Sequence, residues 1–167
     1  MILLVSGIPA SGKSTYCRWL EQDQGFIHFD IDIQMFQGTG VGPRWNSIFQ
    51  PGGSTKPFVS TLRQWLRSVV IDWGFPPAKL GVVRDLKEEG VEIWWFDADR
   101  AAAQRKYVEQ GDRALKRFEA QIARIETTWS QIAEVFGTHI IVTLNSNAIY
   151  MPSEAIFRQM SKNRSSE

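Results

Sequence analysis

Apolar and polar positions along the chain alternate between two regimes, short continuous apolar runs and longer stretches with a step of three or four. The runs are Ile2, Leu3, Leu4, Val5, then residues 26–33, 68–71, 91–96 and 139–144. Each is four to eight residues long and rich in Val, Ile, Phe or Trp, the mark of a strand buried on both faces. Between them lie helical patterns. Tyr16, Cys17, Trp19 and Leu20 continue a first helix that a turn at Gly25 ends. Residues 57–67 place Phe58, Leu62, Trp65 and Leu66 on an inner face, with Arg63 and Arg67 one turn apart beside them. Residues 76–90 run through Leu80, Val83 and Leu86 and stop at Gly90. Another helix follows Asp99, a natural N-cap. Residues 115–136 carry Leu115, Phe118, Ile122, Ile125, Trp129, Ile132 and Phe136 at steps of three and four, which reads as one long helix. A last helix spans residues 152–160, and the tail from residue 161 is expected to fray.

Strands alternating with helices predict a single α/β domain, three α/β/α layers around a five-stranded parallel sheet. No internal repeat or second domain interrupts residues 1–167. In such a sheet ligands bind beyond the carboxyl ends of the strands. The polar residues at those ends are the turn after Val5, then Asp30 and Asp32, Asp72, and Asp97 and Asp99. Asp30 and Asp32 are two apart, so they share a strand face or emerge together where it ends. Residues 37–56 are glycine-rich and without clean periodicity, which predicts a substrate loop or a poorly ordered one.

The turn after the first run contains the chemistry. Gly7, Ile8, Pro9, Ala10, Ser11, Gly12, Lys13, Ser14 and Thr15 fit G-x-x-x-x-G-K-[ST], the Walker A phosphate-binding loop, placed between a strand and a helix as that loop requires. Polyphosphate recognition needs several backbone N–H groups converging on one small volume. A tight turn opening into a helix N-terminus supplies them. Gly7 and Gly12 fall where a side chain would block the phosphates or where φ must be positive. Lys13 brings a positive charge to the β/γ oxygens, and the Ser14 hydroxyl is a magnesium ligand. These residues imply ATP and magnesium as cofactors.

Charge and composition narrow the partners. Nineteen Lys and Arg stand against eighteen Asp and Glu, a net charge of +1, without the basic excess of a protein that lives on duplex nucleic acid. The one cysteine, Cys17, excludes an intrachain disulfide and reads as a small buried residue. Without an apolar run long enough to cross a bilayer, the expectation is a cytoplasmic chain with no membrane partner. Seven Trp and ten Phe read first as core, including Trp45 and Phe49, which offer base stacking as the alternative. His28, inside a strand, reads as a hydrogen-bonded structural residue rather than a base.

With loop and acidic strand ends in place, the chain resembles the P-loop kinases, the group that includes adenylate kinase, polynucleotide 5′-kinase, zeta-type toxins, and shikimate, gluconate and adenylyl-sulfate kinases. The resemblance implies a P-loop kinase fold with a small helical lid, about residues 100–118. Residues 25–35 look like the second strand of polynucleotide kinases and zeta-type toxins, whose Asp just beyond the strand activates the acceptor hydroxyl; here it is Asp32. Asp30 and Asp32 together reproduce the D-x-D pair of adenylyl-sulfate kinases, with Asp30 as a metal-site candidate. Val70, Ile71, Asp72, Trp73, Gly74, Phe75 and Pro76 are similar to the D-G-F-P-R segment of adenylate kinases, whose Asp approaches magnesium through water. A Trp is inserted, and Pro77 stands where the phosphate-binding Arg belongs, which counts against a nucleoside monophosphate held in that manner. Among lid arginines, Arg105 is the best positional match, with Arg113 and Arg117 further along. Asn145, in the polar turn after the fifth strand, matches the place where such kinases contact adenine by backbone. Arg44, Arg63 and Arg67 are candidates for gripping an anionic acceptor. The function implied is transfer of the ATP γ-phosphate to a hydroxyl of a nucleotide, nucleoside or 5′-hydroxyl polynucleotide. A small metabolite, sugar nucleotide or antibiotic hydroxyl is the alternative acceptor, and an ATP-binding regulatory module is the non-kinase alternative.

Overall fold

The computed structural model describes residues 1–31, 40–111 and 115–164. Five parallel strands, β1 (Ile2–Gly7), β2 (Ile27–Asp30), β3 (Val69–Asp72), β4 (Glu92–Ala98) and β5 (Ile140–Leu144), form one sheet in the order β2-β3-β1-β4-β5. Every residue of β1 is buried, as its unbroken apolar run requires for a central strand covered on both sides. On one face Leu3, Val5, Val70, Trp94, Phe96 and Ile141 pack against α1 (Lys13–Gln24) and α8 (Ser153–Arg164). The other face carries Leu4, Ile71, Ile93 and Trp95. It is covered by α2 (Val41–Ser47), α3 (Lys56–Arg63), α4 (Leu80–Glu88), α5 (Arg100–Glu109), α6 (Leu115–Thr127) and α7 (Trp129–Phe136). These are the three layers expected. Trp94 and Trp95 point to opposite faces and are both fully buried. At about 200 Å² each, their burial contributes roughly 5 kcal/mol per ring.

The structure departs from the periodicity reading at five places. β2 ends at Asp30 and Ile31 follows as a turn residue, while Asp32 and Ile33 of the expected strand lie outside the described residues. Residues 41–47, expected as loop, are the helix α2. Val41, Trp45 and Ile48 form a buried i, i+4, i+7 stripe that Gly42 and Pro43 mask in the sequence. α3 stops at Arg63, so Leu66, expected inside, is fully exposed, while Trp65 still packs on Phe29 at 5.3 Å between ring centres. The long helix breaks at Thr128. Thr127 and Thr128 each donate their hydroxyl to the carbonyl four residues back, Ala123 and Arg124, and this competition with the backbone ladder bends the chain into α6 and α7. The last helix extends to Arg164, one turn beyond its expected end.

Trp45, Phe49, Phe58, Trp73, Phe75, Trp95 and Phe136 make one continuous train of ring contacts between 4.9 and 6.3 Å. Trp45 is therefore core, and the Trp that interrupts the D-G-F-P-like segment is there to fill that core. The train fixes the segment after β3 against α2 and α3, beside the strand ends where the loop lies.

Candidate active site

β1 delivers the loop. Gly7 closes the strand at φ 145°, and a Cβ there would stand 2.1 Å from the Phe96 carbonyl oxygen. The glycine is required by the approach of β4 rather than by phosphate. Ile8 N then donates to Phe96 O at 3.1 Å. Ala10 (φ 60°) and Gly12 (φ 89°) take left-handed conformations that fold the loop back on itself, and Gly12 is the N-cap of α1. No acidic side chain sits in the first turn of α1, so the positive end of its dipole is uncompensated by carboxylate. Lys13 bends back across the loop and its Nζ donates to Gly7 O (3.2 Å) and Ile8 O (2.7 Å).

The far wall of the loop is built by β5 and the turn after it. Thr143 Oγ1 donates to Ser11 O at 2.7 Å, and Tyr150 donates its hydroxyl to Ala10 O at 2.9 Å while its ring lies against Gly12. Burial pushes the Tyr150 phenol above its ordinary value, so it stays protonated, the form that makes this bond. The sequence reading did not single out Thr143 or Tyr150. Their signal is only that they flank Asn145, on a strand end and turn already expected at the ligand edge. Asn145 Oδ1 accepts from Asn147 N and Ile149 N, both at 3.0 Å, so its side chain shapes the turn, and its backbone is bonded there too, N to Ile149 O and O to Ala148 N. Arg105 reaches across from α5 and donates to Ser146 O at 3.3 Å. That places it beside the turn after β5, on the flank of the loop where Tyr150 stands.

The carboxylates come from β2 and β3. Asp30 and Asp72 are register partners, and Asp72 is also the partner of Val5 in β1, so both side chains face α1 just below the loop. Asp30 is half-buried; Asp72 is buried, and its Oδ2 has no hydrogen-bond partner. Gly74 brings the segment after β3 to the stem of Lys13, its modest side distance to Lys13 Cε being 3.9 Å from where a Cβ would stand. Ser11 Oγ is a second buried, unpartnered oxygen, within the loop itself. The donor set expected from the sequence, the Ser14 hydroxyl with the Asp30 and Asp72 carboxylates, consists of hard oxygens, the kind that magnesium takes. The backbone cradle and the paired carboxylates of β2 and β3 fit a magnesium–polyphosphate group.

Other candidates are elsewhere. Arg63 donates to Glu89 O, and Arg67 donates to Gly25 O at 2.8 Å and Phe26 O at 3.3 Å. Both hold loops at the amino ends of the strands, opposite the site, and do not grip an acceptor there. Asp97 pairs with Arg100 at 2.6 Å, and Asp99 caps α5 by accepting from Ala102 N. Arg44 and Arg117 are exposed, and Arg113 lies outside the described residues. An open groove of about 460 Å³ runs between Pro76, Pro77 and Ala78 on one wall and Ala123, Arg124 and Thr127 of α6 on the other. No described helix is long and apolar enough to cross a membrane.

No protein-family model matches the sequence, and no curated protein matches it as a relative. Solved structures do match in shape. A shikimate kinase from Acinetobacter baumannii, in complex with shikimate, superposes with a TM-score of 0.60 at 16% identity, covering 99% of this chain and 94% of the other. A gluconokinase from Sinorhizobium meliloti gives 0.54 at 12% identity over 97% and 93%. The tunicamycin resistance protein of Deinococcus radiodurans gives 0.55 at 15% over 96% and 94%. The described residues of this chain therefore have the three-layer α/β/α fold of these three proteins.

Proposed function

We propose that the chain is a magnesium-dependent phosphotransferase that moves the γ-phosphate of ATP to a hydroxyl of a small molecule. The observation that carries this reading is the facing arrangement at the carboxyl edge of the sheet. A left-handed loop with Lys13 folded over it opens from β1, and two carboxylates in register stand on the neighbouring strands. Bound ATP would supply the phosphoryl group, and magnesium would neutralise its β- and γ-oxygens.

The chain's own residues position and neutralise. The loop N–H groups and the N-terminus of α1 hold the phosphates. Lys13 exchanges two neutral carbonyls for phosphate oxygens, a stronger charge-assisted partner. Ser14, Asp72 and Asp30 would hold the metal, which would supply charge neutralisation at the phosphates. Asp32, two residues after the last residue of β2 in the sequence, accepts the proton of the attacking hydroxyl. Arg105 and the backbone at Asn145 line the nucleotide's base side, and Arg105 approaches the transferring group only when the lid moves.

A small-molecule acceptor is favoured over a polynucleotide by charge and by placement. Two of the arginines that would track a polyanion, Arg63 and Arg67, are bonded to loops on the opposite edge. The structures of similar shape include kinases of shikimate and, by name, gluconate.

The test is incubation with γ-labelled ATP and magnesium against a panel of sugar acids, cyclic polyols, sugar nucleotides, nucleosides and 5′-hydroxyl oligonucleotides. Label should move to a small hydroxyl compound, and Asp32→Asn should lower transfer by at least about a hundredfold while ATP still binds. Label found only as slowly released free phosphate would favour a regulatory nucleotide-binding module. Transfer undiminished in Asp32→Asn would remove Asp32 as the base.

A further inference from the structure

Beneath the loop, His28 has no role in the scheme above, yet it stands beside the carboxylate of Asp72. His28 on β2 and Asp72 at the end of β3 both face α1 and are more than nine-tenths buried. His28 Nε2 and Asp72 Oδ2 stand 3.7 Å apart, and neither atom has a hydrogen-bond partner among the described residues. Each would cost about 1–3 kcal/mol if left unpaired. A single N–H···O bond satisfies both, and it requires an approach of only about 0.9 Å, within reach of small side-chain rotations. On the other side of the ring, Glu21 Oε2 is 4.0 Å from Nδ1, but its side chain is nearly half exposed and solvated.

Resting on the magnesium–nucleotide reading, we propose that His28 is a positioning residue for Asp72. With its proton on Nε2 it donates to Oδ2, fixes the carboxylate's rotation, and leaves the second oxygen to face the hydrated metal. The logic is that of a metal centre's outer shell, where a hydrogen bond to a ligand sets its direction. Cys17 is the third neighbour, its sulfur within 4.8 Å of the other two ligand atoms. That trio could instead hold a thiophilic cation.

The experiment compares ATP affinity with and without magnesium, by calorimetry, in the wild-type chain, His28→Phe and His28→Gln. Phe keeps the bulk and removes the donor; Gln keeps an N–H near the Nε2 position. The affinity gained from magnesium should fall about tenfold or more in His28→Phe with metal-free affinity unchanged, and His28→Gln should restore most of it. An unchanged magnesium gain in His28→Phe overturns the proposal, and so does an equal loss of metal-free binding, which would mean packing alone. Nitrogen-15 NMR of wild-type His28 provides a reading free of variants: the Nε2–H tautomer is expected, and the Nδ1–H tautomer contradicts it. Thiolate-to-metal absorption on adding cobalt(II) alone, lost in Cys17→Ser, would also overturn it in favour of a metal site. If the wild-type chain gains no ATP affinity from magnesium, the functional reading itself fails and this role falls with it.

Discussion

Lys13, Asp72 and Cys17 sit within one small volume under the loop and respond to it differently. Lys13 satisfies its ammonium on two loop carbonyls, Asp72 keeps one oxygen unpaired, and Cys17 is fully enclosed between α1 and the sheet. The thiol is the plainest reporter of that enclosure. Its ordinary value is raised by desolvation first and by Asp72 second, so at any pH the reactive thiolate fraction is lower than for a free cysteine. Native protein at pH 8 should therefore resist alkylation by iodoacetamide, and guanidinium should release one reactive thiol per chain. Rapid labelling of the folded protein would mean that α1 does not seal this layer. Gly7, Gly12 and Lys13 were legible from the motif alone, but the reason for Gly7 was not. Its constraint is the approach of β4, a neighbour some ninety residues away that no local pattern encodes.

At the scale of elements, the strands were readable because a central parallel strand is apolar on both faces and announces itself as an unbroken run. The errors fell where local chemistry competed with periodicity. Gly42 and Pro43 hid the Val41, Trp45 and Ile48 stripe of α2, and paired threonine hydroxyls split α6 from α7 inside a perfect amphipathic pattern. The acidic strand ends were visible as Asp30 and Asp72, whereas the His28 contact depends on which strands become neighbours. The close junction of β1 and β4 yields a contrast between two glycines. Gly7→Ala drives a Cβ into the Phe96 backbone and should cost about 3 kcal/mol or more, measured by denaturant unfolding. Gly25→Ala, at φ 69° with open space around it, should cost only about 1–2 kcal/mol. Equal losses at the two positions would contradict the strand packing described.

For the whole molecule, the sheet divides the labour. Its amino edge is tied down by Arg67 on Gly25 and Arg63 on Glu89, and its carboxyl edge gathers the loop, the carboxylates, Arg105 and the turn at Asn145. That polarity was legible from strand–helix alternation, and it is shared over nearly the full length with the kinases of similar shape. The acceptor was not legible, because the loop motif specifies how a polyphosphate is held and carries no information on the hydroxyl compound that receives the phosphoryl group. The claim on which the account depends is that this edge grips a magnesium–triphosphate. Calorimetric titration of ATP with magnesium into the wild-type chain and Lys13→Ala tests it most directly. The account predicts one site per chain, weakened about tenfold to a hundredfold by the loss of the Lys13 charge-assisted bonds. The absence of binding to the wild type, or equal affinity in Lys13→Ala, would contradict it.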